Sequence, residues 1–330
     1  FSVPDIWWSN CCRNAKGYFG YEDVLDATGK QSGIITWCRF KMKHAWLTND
    51  QNVEYYWPKL NMFSRWYRST SHTVVIVFDP KPHLRQKFTS CLHSNIDPRE
   101  LHDPFWIYPR LVEEIVLLQD EAVTRIRNLV REIEKNRADQ NSPTAPNPCY
   151  QRLHEVMRHA IHVSETLSVA CATVQSIQLY HERLLAERKT THGISKNIAS
   201  RLSFHLHMLG SLRQRSDSSR ARLGSEISLA FNTVAQYDSR TSARIADAMR
   251  SDSAAMRTIA VVTLIFLPTT FVSAVFSTSF FDFDARTGAW AISDRFWVFW
   301  AISIPLTGLS VSIWFFWKPL ARLIFGIRLY

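Results

Sequence analysis

The clearest chemical spacing in the chain is Met256, Thr263, Thr270 and Ser277, each seven residues from the last. Ile259 (or Ala260), Leu267 and Ala274 stand as companions three or four positions on. Helices wound about a common axis turn the same face inward every seven residues. If copies of this segment surround an axis, Met256 and Ile259 form a lower apolar neck. Thr263, Thr270 and Ser277 then form hydroxyl rings, with Leu267 narrowing the path between them. Hydroxyl rings suit a cation that keeps its water shell, as Mg²⁺ does because it dehydrates reluctantly. Apolar rings can gate by dewetting. The alternative reading is that small polar residues let helices pack closely.

Asp282 and Asp284 follow just beyond. Around a pore mouth they would raise the local cation concentration; otherwise they are ordinary loop acids.

These residues need a long apolar helix to carry them. Thr258 to Phe281 and Phe296 to Trp317 hold no charged residue. Each exceeds the roughly 20 apolar residues that cross a ~30 Å hydrocarbon core, so the two form a membrane hairpin. Arg250 and Arg257 precede the first run, and Lys318, Arg322 and Arg328 follow the second. The linking segment holds Arg286 and Arg295 with Asp282, Asp284 and Asp294. The positive-inside rule therefore puts both termini on the cytoplasmic side, and Trp290, Trp297, Trp300, Trp314 and Trp317 suit the headgroup level. The opening Phe1-Ser-Val-Pro-Asp-Ile-Trp-Trp lacks the charge and the apolar core of a secretory signal, so the first span is expected to direct insertion.

The 330-residue chain has a net charge of +10. Its mean hydropathy of −0.14 is near neutral because a charged soluble part offsets the spans. Nine Lys or Arg fall between Arg183 and Arg222 against Glu187 and Asp217. They read as a solvated helix face rather than a surface for anionic lipid or nucleic acid. Cys11, Cys12, Cys38, Cys91, Cys149 and Cys171 form no CxxC pair and are expected to be reduced thiols.

Residues 1–102 read as a mixed α/β cytoplasmic domain. Gly33–Phe40 and Thr73–Phe78 have strand composition, the second stopped by Asp79-Pro-Lys-Pro82. Residues 103–257 read as a long-helix stalk. Leu111, Ile115, Leu118, Ala122, Ile126, Leu129 and Ile133 recur at helical spacing up to about Arg137. A second helix, from about Tyr150 to Ala186, carries Leu153, Val156, Met157, Ala160, Leu167, Ala170, Val174, Ile177 and Leu184. A third begins near Ser195, keeps its period through Leu202, Leu209, Leu212, Leu223, Ile227, Phe231, Val234, Ile245 and Met249, and enters the first span unbroken. Up to Arg257 it is about 63 residues and ~95 Å long at 1.5 Å per residue. Such a stalk needs the two preceding helices, copies of itself, or both to cover its apolar stripe. Residues 258–281 are the first transmembrane helix, 282–295 a short outer loop, 296–317 the second transmembrane helix and 318–330 a basic tail. The fold class is thus a mostly α chain: an α+β cytoplasmic domain, a helical stalk and two C-terminal transmembrane helices.

Ser251-Asp-Ser-Ala-Ala-Met-Arg-Thr-Ile-Ala-Val-Val-Thr-Leu-Ile-Phe-Leu-Pro-Thr-Thr-Phe-Val-Ser-Ala-Val-Phe276 is similar to the stalk-to-membrane segment of fungal CorA-like divalent metal ion transporters. Leu111-Val-Glu-Glu114 and Arg158-His-Ala-Ile-His-Val-Ser-Glu-Thr-Leu167 resemble their helical region. The resemblance covers about residue 70 to the end and is strongest over 225–281. It implies a homopentamer in which five first spans line an axial pore for a divalent cation (Mg²⁺, or Zn²⁺, Co²⁺ or Ni²⁺), with no tightly bound cofactor. Ser277, Thr278 and Ser279 stand at the filter position, where the family carries Gly-Met-Asn. Hydroxyls contact a hydrated ion with a different geometry from an Asn carboxamide, so a non-conducting scaffold or metal sensor is the rival reading. The expected setting is the lipid bilayer of the plasma membrane rather than the mitochondrial inner membrane, with no nucleic-acid partner.

His154, His159, His162, His205 and His207 read as solvated surface histidines rather than a metal sensor. Asp217, Asp238, Asp247 and Asp252 are candidates for regulatory cations between subunits, which the resemblance suggests. No P-loop, nucleophile elbow, GxGxxG or HExxH is present, and no enzyme activity is expected.

Overall fold

The computed structural model describes residues 3–48, 52–78, 80–93, 96–137, 144–188, 193–276, 281–284 and 289–325. It divides into two compact units, Phe1–Gln236 and Tyr237–Tyr330.

In the first unit a short helix α1 (Asn10–Asn14) leads into β1 (Gly17–Leu25), β2 (Gln31–Lys41), β3 (His44–Leu47), β4 (Val53–Tyr56), β5 (Lys59–Tyr67) and β6 (His72–Val77). The main sheet is antiparallel in the order β1-β2-β5-β6, and β3 and β4 form a separate hairpin. Cys38 on β2 pairs with Phe19 on β1 and Met62 on β5, so β2 is internal. Its burial runs nearly without a break because both faces of the sheet are covered. On one face Ile34, Cys38 and Phe40 join the helical core. On the other, Trp7 packs edge-on to Tyr18 and Phe63 at 5.7 and 6.4 Å. Arg39 ties that N-terminal segment down by donating to the carbonyls of Ala15 (2.7 Å) and Arg13 (2.8 Å). Gly20 is needed in the exposed strand β1: a Cβ there would lie 2.3 Å from the Trp37 indole nitrogen.

Helices follow: α2 (Pro82–His93), α3 (Ile107–Lys135), α4 (Tyr150–Arg188) and α5 (Gly193–Phe276). The apolar periods of α3 and α4 are the core itself. Leu111, Ile115, Leu118, Ala122, Ile126 and Leu129 are buried, as are Leu153, Val156, Ala160, Leu167, Ala170, Val174, Ile177 and Leu184. Tyr108 at the start of α3 donates to Thr36 Oγ1 (2.7 Å), which lies 2.6 Å from Ser64 Oγ, and this hydroxyl chain satisfies the polar groups between sheet and helix. Asp103 accepts from the Phe105 N–H (2.8 Å) and pairs with His181 Nε2 (2.9 Å), joining the head of α3 to the far end of α4.

The basic stretch of α5 is not a simply solvated face. Arg201, Arg215 and Arg222 pair with Glu113, Asp120 and Glu134 of α3. Arg137 pairs with the buried Glu226.

The apolar seam of α5 is buried at Leu202, Leu209, Leu212 and Leu223. Past Ala230 it emerges: Phe231 and Ile245 are 50 % exposed and Met249 66 %. Phe231 stacks on Tyr150, the first residue of α4, with ring centres 4.4 Å apart, while α3 has already ended at Lys135.

In the second unit α5 continues through Pro268 without interruption to Phe276. The segment expected to be a short outer loop contains a two-stranded hairpin, β7 (Phe281–Asp284) and β8 (Ala289–Ile292). Helix α6 (Trp297–Phe325) runs on into residues read as the basic tail. The molecule is mostly helical, with an N-terminal sheet domain, a long helix and two helices long and apolar enough to span a membrane.

Candidate functional site

Two faces of α5 in the second unit have opposite characters. Toward α6 it buries Pro268 and Val272, and Ser303 of α6 is buried against it. Thr269 Oγ1 lies 3.4 Å from Thr307 Oγ1 on the same side. Lower down, Arg257, Ala260 and Leu264 share a groove with Ser310, Ile313 and Trp314. Pro268 has no N–H for the Leu264 carbonyl, so this is also where the helix loses a backbone bond.

A separate face holds the seven-residue series. Met256 (68 %), Ile259 (67 %) and Leu267 (63 %) are among the most exposed large apolar residues of the unit, and Thr263, Thr270 and Ala274 are exposed with them. At 3.6 residues per turn this stripe is centred roughly 120° from the Ala260, Leu264, Pro268, Val272 face. The series is a stripe along one helix, and no other functional group of the unit meets it among the described residues.

Its hydroxyls are already oriented. Thr263 donates to the Ile259 carbonyl at 2.9 Å, and Thr270 donates to those of Phe266 and Leu267, both at 2.9 Å. With the proton turned back into the helix, each oxygen keeps lone pairs free to accept from the water shell of a cation.

Ser277, Thr278 and Ser279 lie outside the described residues. The backbone of Asp282 pairs opposite Ala291 and that of Asp284 opposite Ala289. Trp297, Trp300 and Trp314 are exposed on α6. Among the described residues no group of three His, Cys, Asp or Glu is placed to hold a metal ion. Asp217 accepts from Ser164 Oγ at 2.7 Å and faces Arg220, so it serves packing. Asp238, Asp247 and Asp252 are exposed.

The histidines correct the expectation of a solvated set. His154 and His207 are exposed, but His159 is fully buried and His205 nearly so. His159 is covered by Tyr55, whose ring centre is 5.1 Å away, and among the described residues neither of its ring nitrogens has a hydrogen-bond partner. Burial first, then the charges of Lys43, Arg158 and His162, push it down to about 4. His44 and His181 are buried too, and the periodicity alone did not mark them.

No family model matches the chain. It is 32 % identical over 292 residues to the Notoamide biosynthesis cluster protein M' of Aspergillus versicolor, across 83 % of this chain and 61 % of that protein. The chain thus spans about three-fifths of that relative's length. Among solved structures it is similar to the crystal structure of the ZntB cytoplasmic domain from Vibrio parahaemolyticus RIMD 2210633, with a TM-score of 0.41 and 9 % identity over 72 % of this chain and 80 % of that one.

Proposed function

We propose that this chain is a CorA-like channel or transporter that moves a divalent cation through an axial path built by copies of α5. The observation that carries this reading is the exposed stripe of Met256, Ile259, Thr263, Leu267, Thr270 and Ala274 on the face turned away from α6. In a bilayer every apolar residue of the pair can face lipid, but a hydroxyl series at seven-residue spacing is better explained by a shared axis. The wording of Ser251–Phe276 supports a CorA-type assembly of five. A Mg²⁺-like ion would pass with its water shell, contacting the lone pairs of Thr263 and Thr270. Asp282 and Asp284 would concentrate cations at the outer end. The proposed setting is the plasma membrane with both termini cytoplasmic, and no catalytic activity is assigned.

A second reading, a membrane-anchored scaffold or metal sensor, is favoured by Ser277-Thr278-Ser279 at the position of Gly-Met-Asn. Purified protein in liposomes loaded with a divalent-sensitive dye separates the two. Flux of Mg²⁺, Zn²⁺, Co²⁺ or Ni²⁺ that vanishes in Thr270→Leu supports conduction. A pentameric preparation that passes none of these ions leaves the scaffold reading.

A further inference from the structure

Three lysines converge on one tryptophan in the first unit. The ammonium groups of Lys16, Lys41 and Lys43 lie 4.3, 4.5 and 4.5 Å from the Trp57 ring centre. No two of them can be more than about 9 Å apart, within one Debye length, and at least two share a ring face. Lys43 also sits 3.8 Å over the Tyr55 ring and is only 3 % exposed. The α4 side of the cluster supplies His159, fully buried with both nitrogens unpartnered among the described residues, and His162, whose ring is 5.6 Å from Trp57.

The acids nearby do not balance this charge. Glu165 is 3.8 Å from Lys16 and 3.4 Å from His162. Glu155 pairs with Arg158. Among the described residues Lys41 and Lys43 have no carboxylate within ion-pair distance, although the charge of Glu165 also acts on Lys41. Ring faces attract an ammonium, but three ammoniums on one indole repel each other. Burial, then Arg158, Lys16 and Lys41, lowers Lys43 to about 8. Burial, then Lys16, Arg39 and Lys59, also lowers Lys41. A bound anion would offset the mutual repulsion of these lysines and give the buried imidazole an acceptor.

We propose that Lys16, Lys41 and Lys43 around Trp57, with His159 beside Tyr55, bind a multivalent phosphate-class anion. Three lysines against Glu165 leave an excess of two positive charges, which matches a phosphate dianion better than a single carboxylate. Lysine ammoniums are compact point charges suited to phosphate, and a neutral imidazole always has one N–H to donate. A bound dianion favours the charged forms of Lys43 and His159, so binding takes up protons.

The test uses the full chain in detergent, titrated calorimetrically with pyrophosphate at pH 7 in two buffers of different ionisation heat, with sodium chloride at matched ionic strength as control. The expected result is saturable binding whose heat depends on the buffer, weakened at least tenfold in Lys41→Gln and Lys43→Met. Lys16→Gln, at a partly exposed position, tests the same prediction if Lys43→Met fails to fold. A second arm measures hydrogen exchange over 41–59 in nanodiscs of phosphatidylcholine with and without phosphatidic acid. Protection by phosphatidic acid without pyrophosphate binding assigns the phosphate to a lipid headgroup. No response to either probe, or pyrophosphate binding unchanged in both Lys41→Gln and Lys16→Gln, overturns the proposal and leaves the lysines as ring-packing groups.

Discussion

Thr269 and Thr307 face each other across α5 and α6 with their hydroxyl oxygens 3.4 Å apart, while Thr270, the next residue on α5, stands exposed on another face. One step along the helix thus separates a packing hydroxyl from an outward one. In the proposed assembly Thr270→Leu abolishes cation flux, whereas Thr269→Val with Thr307→Val leaves flux within about twofold. Interhelical polar contacts of this kind average ~0.6 kcal/mol, so a double-mutant cycle should read a coupling of about that size. Equal flux loss in both variants would contradict the two-face geometry.

The stripe that emerges beyond Ala230 bears on association. Ile245 and Met249 are exposed on α5 with no helix of their own chain beside them among the described residues. If copies bury them, Ile245→Lys with Met249→Lys shifts the detergent-purified protein to smaller species by light scattering. A mass distribution identical to the parent's would remove these residues from the contact.

His159 predicts an acid limb in stability. Its folded pKa of about 4 lies below the value near 6.5 of the unfolded chain, so the unfolded state binds more protons between those pH values. Stability from this residue is therefore fully present above about pH 6.5 and is lost as pH falls toward 4, by up to roughly 3 kcal/mol. Urea midpoints of His159→Phe should fall less over that range than those of the parent. Parallel curves would mean that the buried ring is not the group responsible.

Asp103 and His181 make a more local prediction. Burial works to raise the Asp103 carboxyl, but the hydrogen bond and charge of His181 outweigh it and hold it below its usual range. Asp103→Ala strands a buried imidazole and frees the Phe105 N–H. We expect a loss of about 3 kcal/mol by thermal or chemical unfolding. His181→Leu with Asp103→Leu should recover part of it, because both buried polar partners then go together.

Much of the helical architecture could be read from spacing. The seams of α3 and α4 lie along Leu111 to Leu129 and Leu153 to Leu184 because each helix has one apolar stripe and a core to put it in. The strands were less legible. In β1, Gly17, Gly20, Glu22 and Asp23 lack strand propensity, and the strand exists because β2 pairs with it. In β5, burial on both faces erases the alternation that would announce a strand. The stripe at Met256 to Ala274 was visible at seven-residue spacing, but which face α6 covers was not, since that depends on Pro268 and Val272 packing at the rear. The lysines around Trp57 were invisible for a different reason. Lys16 and the Lys41–Lys43 pair lie about 25 residues apart, and only the sheet and the β3–β4 hairpin bring them to one ring.

The arginines of α5 matter less for strength than for alignment. Exposed pairs such as Arg201–Glu113 and Arg215–Asp120 are each worth at most about 1 kcal/mol. Yet they act on parallel helices whose apolar stripes would tolerate a shift of one heptad. A shift one way sets Arg222 against Arg127 and carries Arg201 past the start of α3 at Ile107. A shift the other way leaves Arg222 beyond the last turn at Lys135. Greasy contacts decide that α3 and α5 adhere, and the charges choose which of several similar sliding positions the pair keeps.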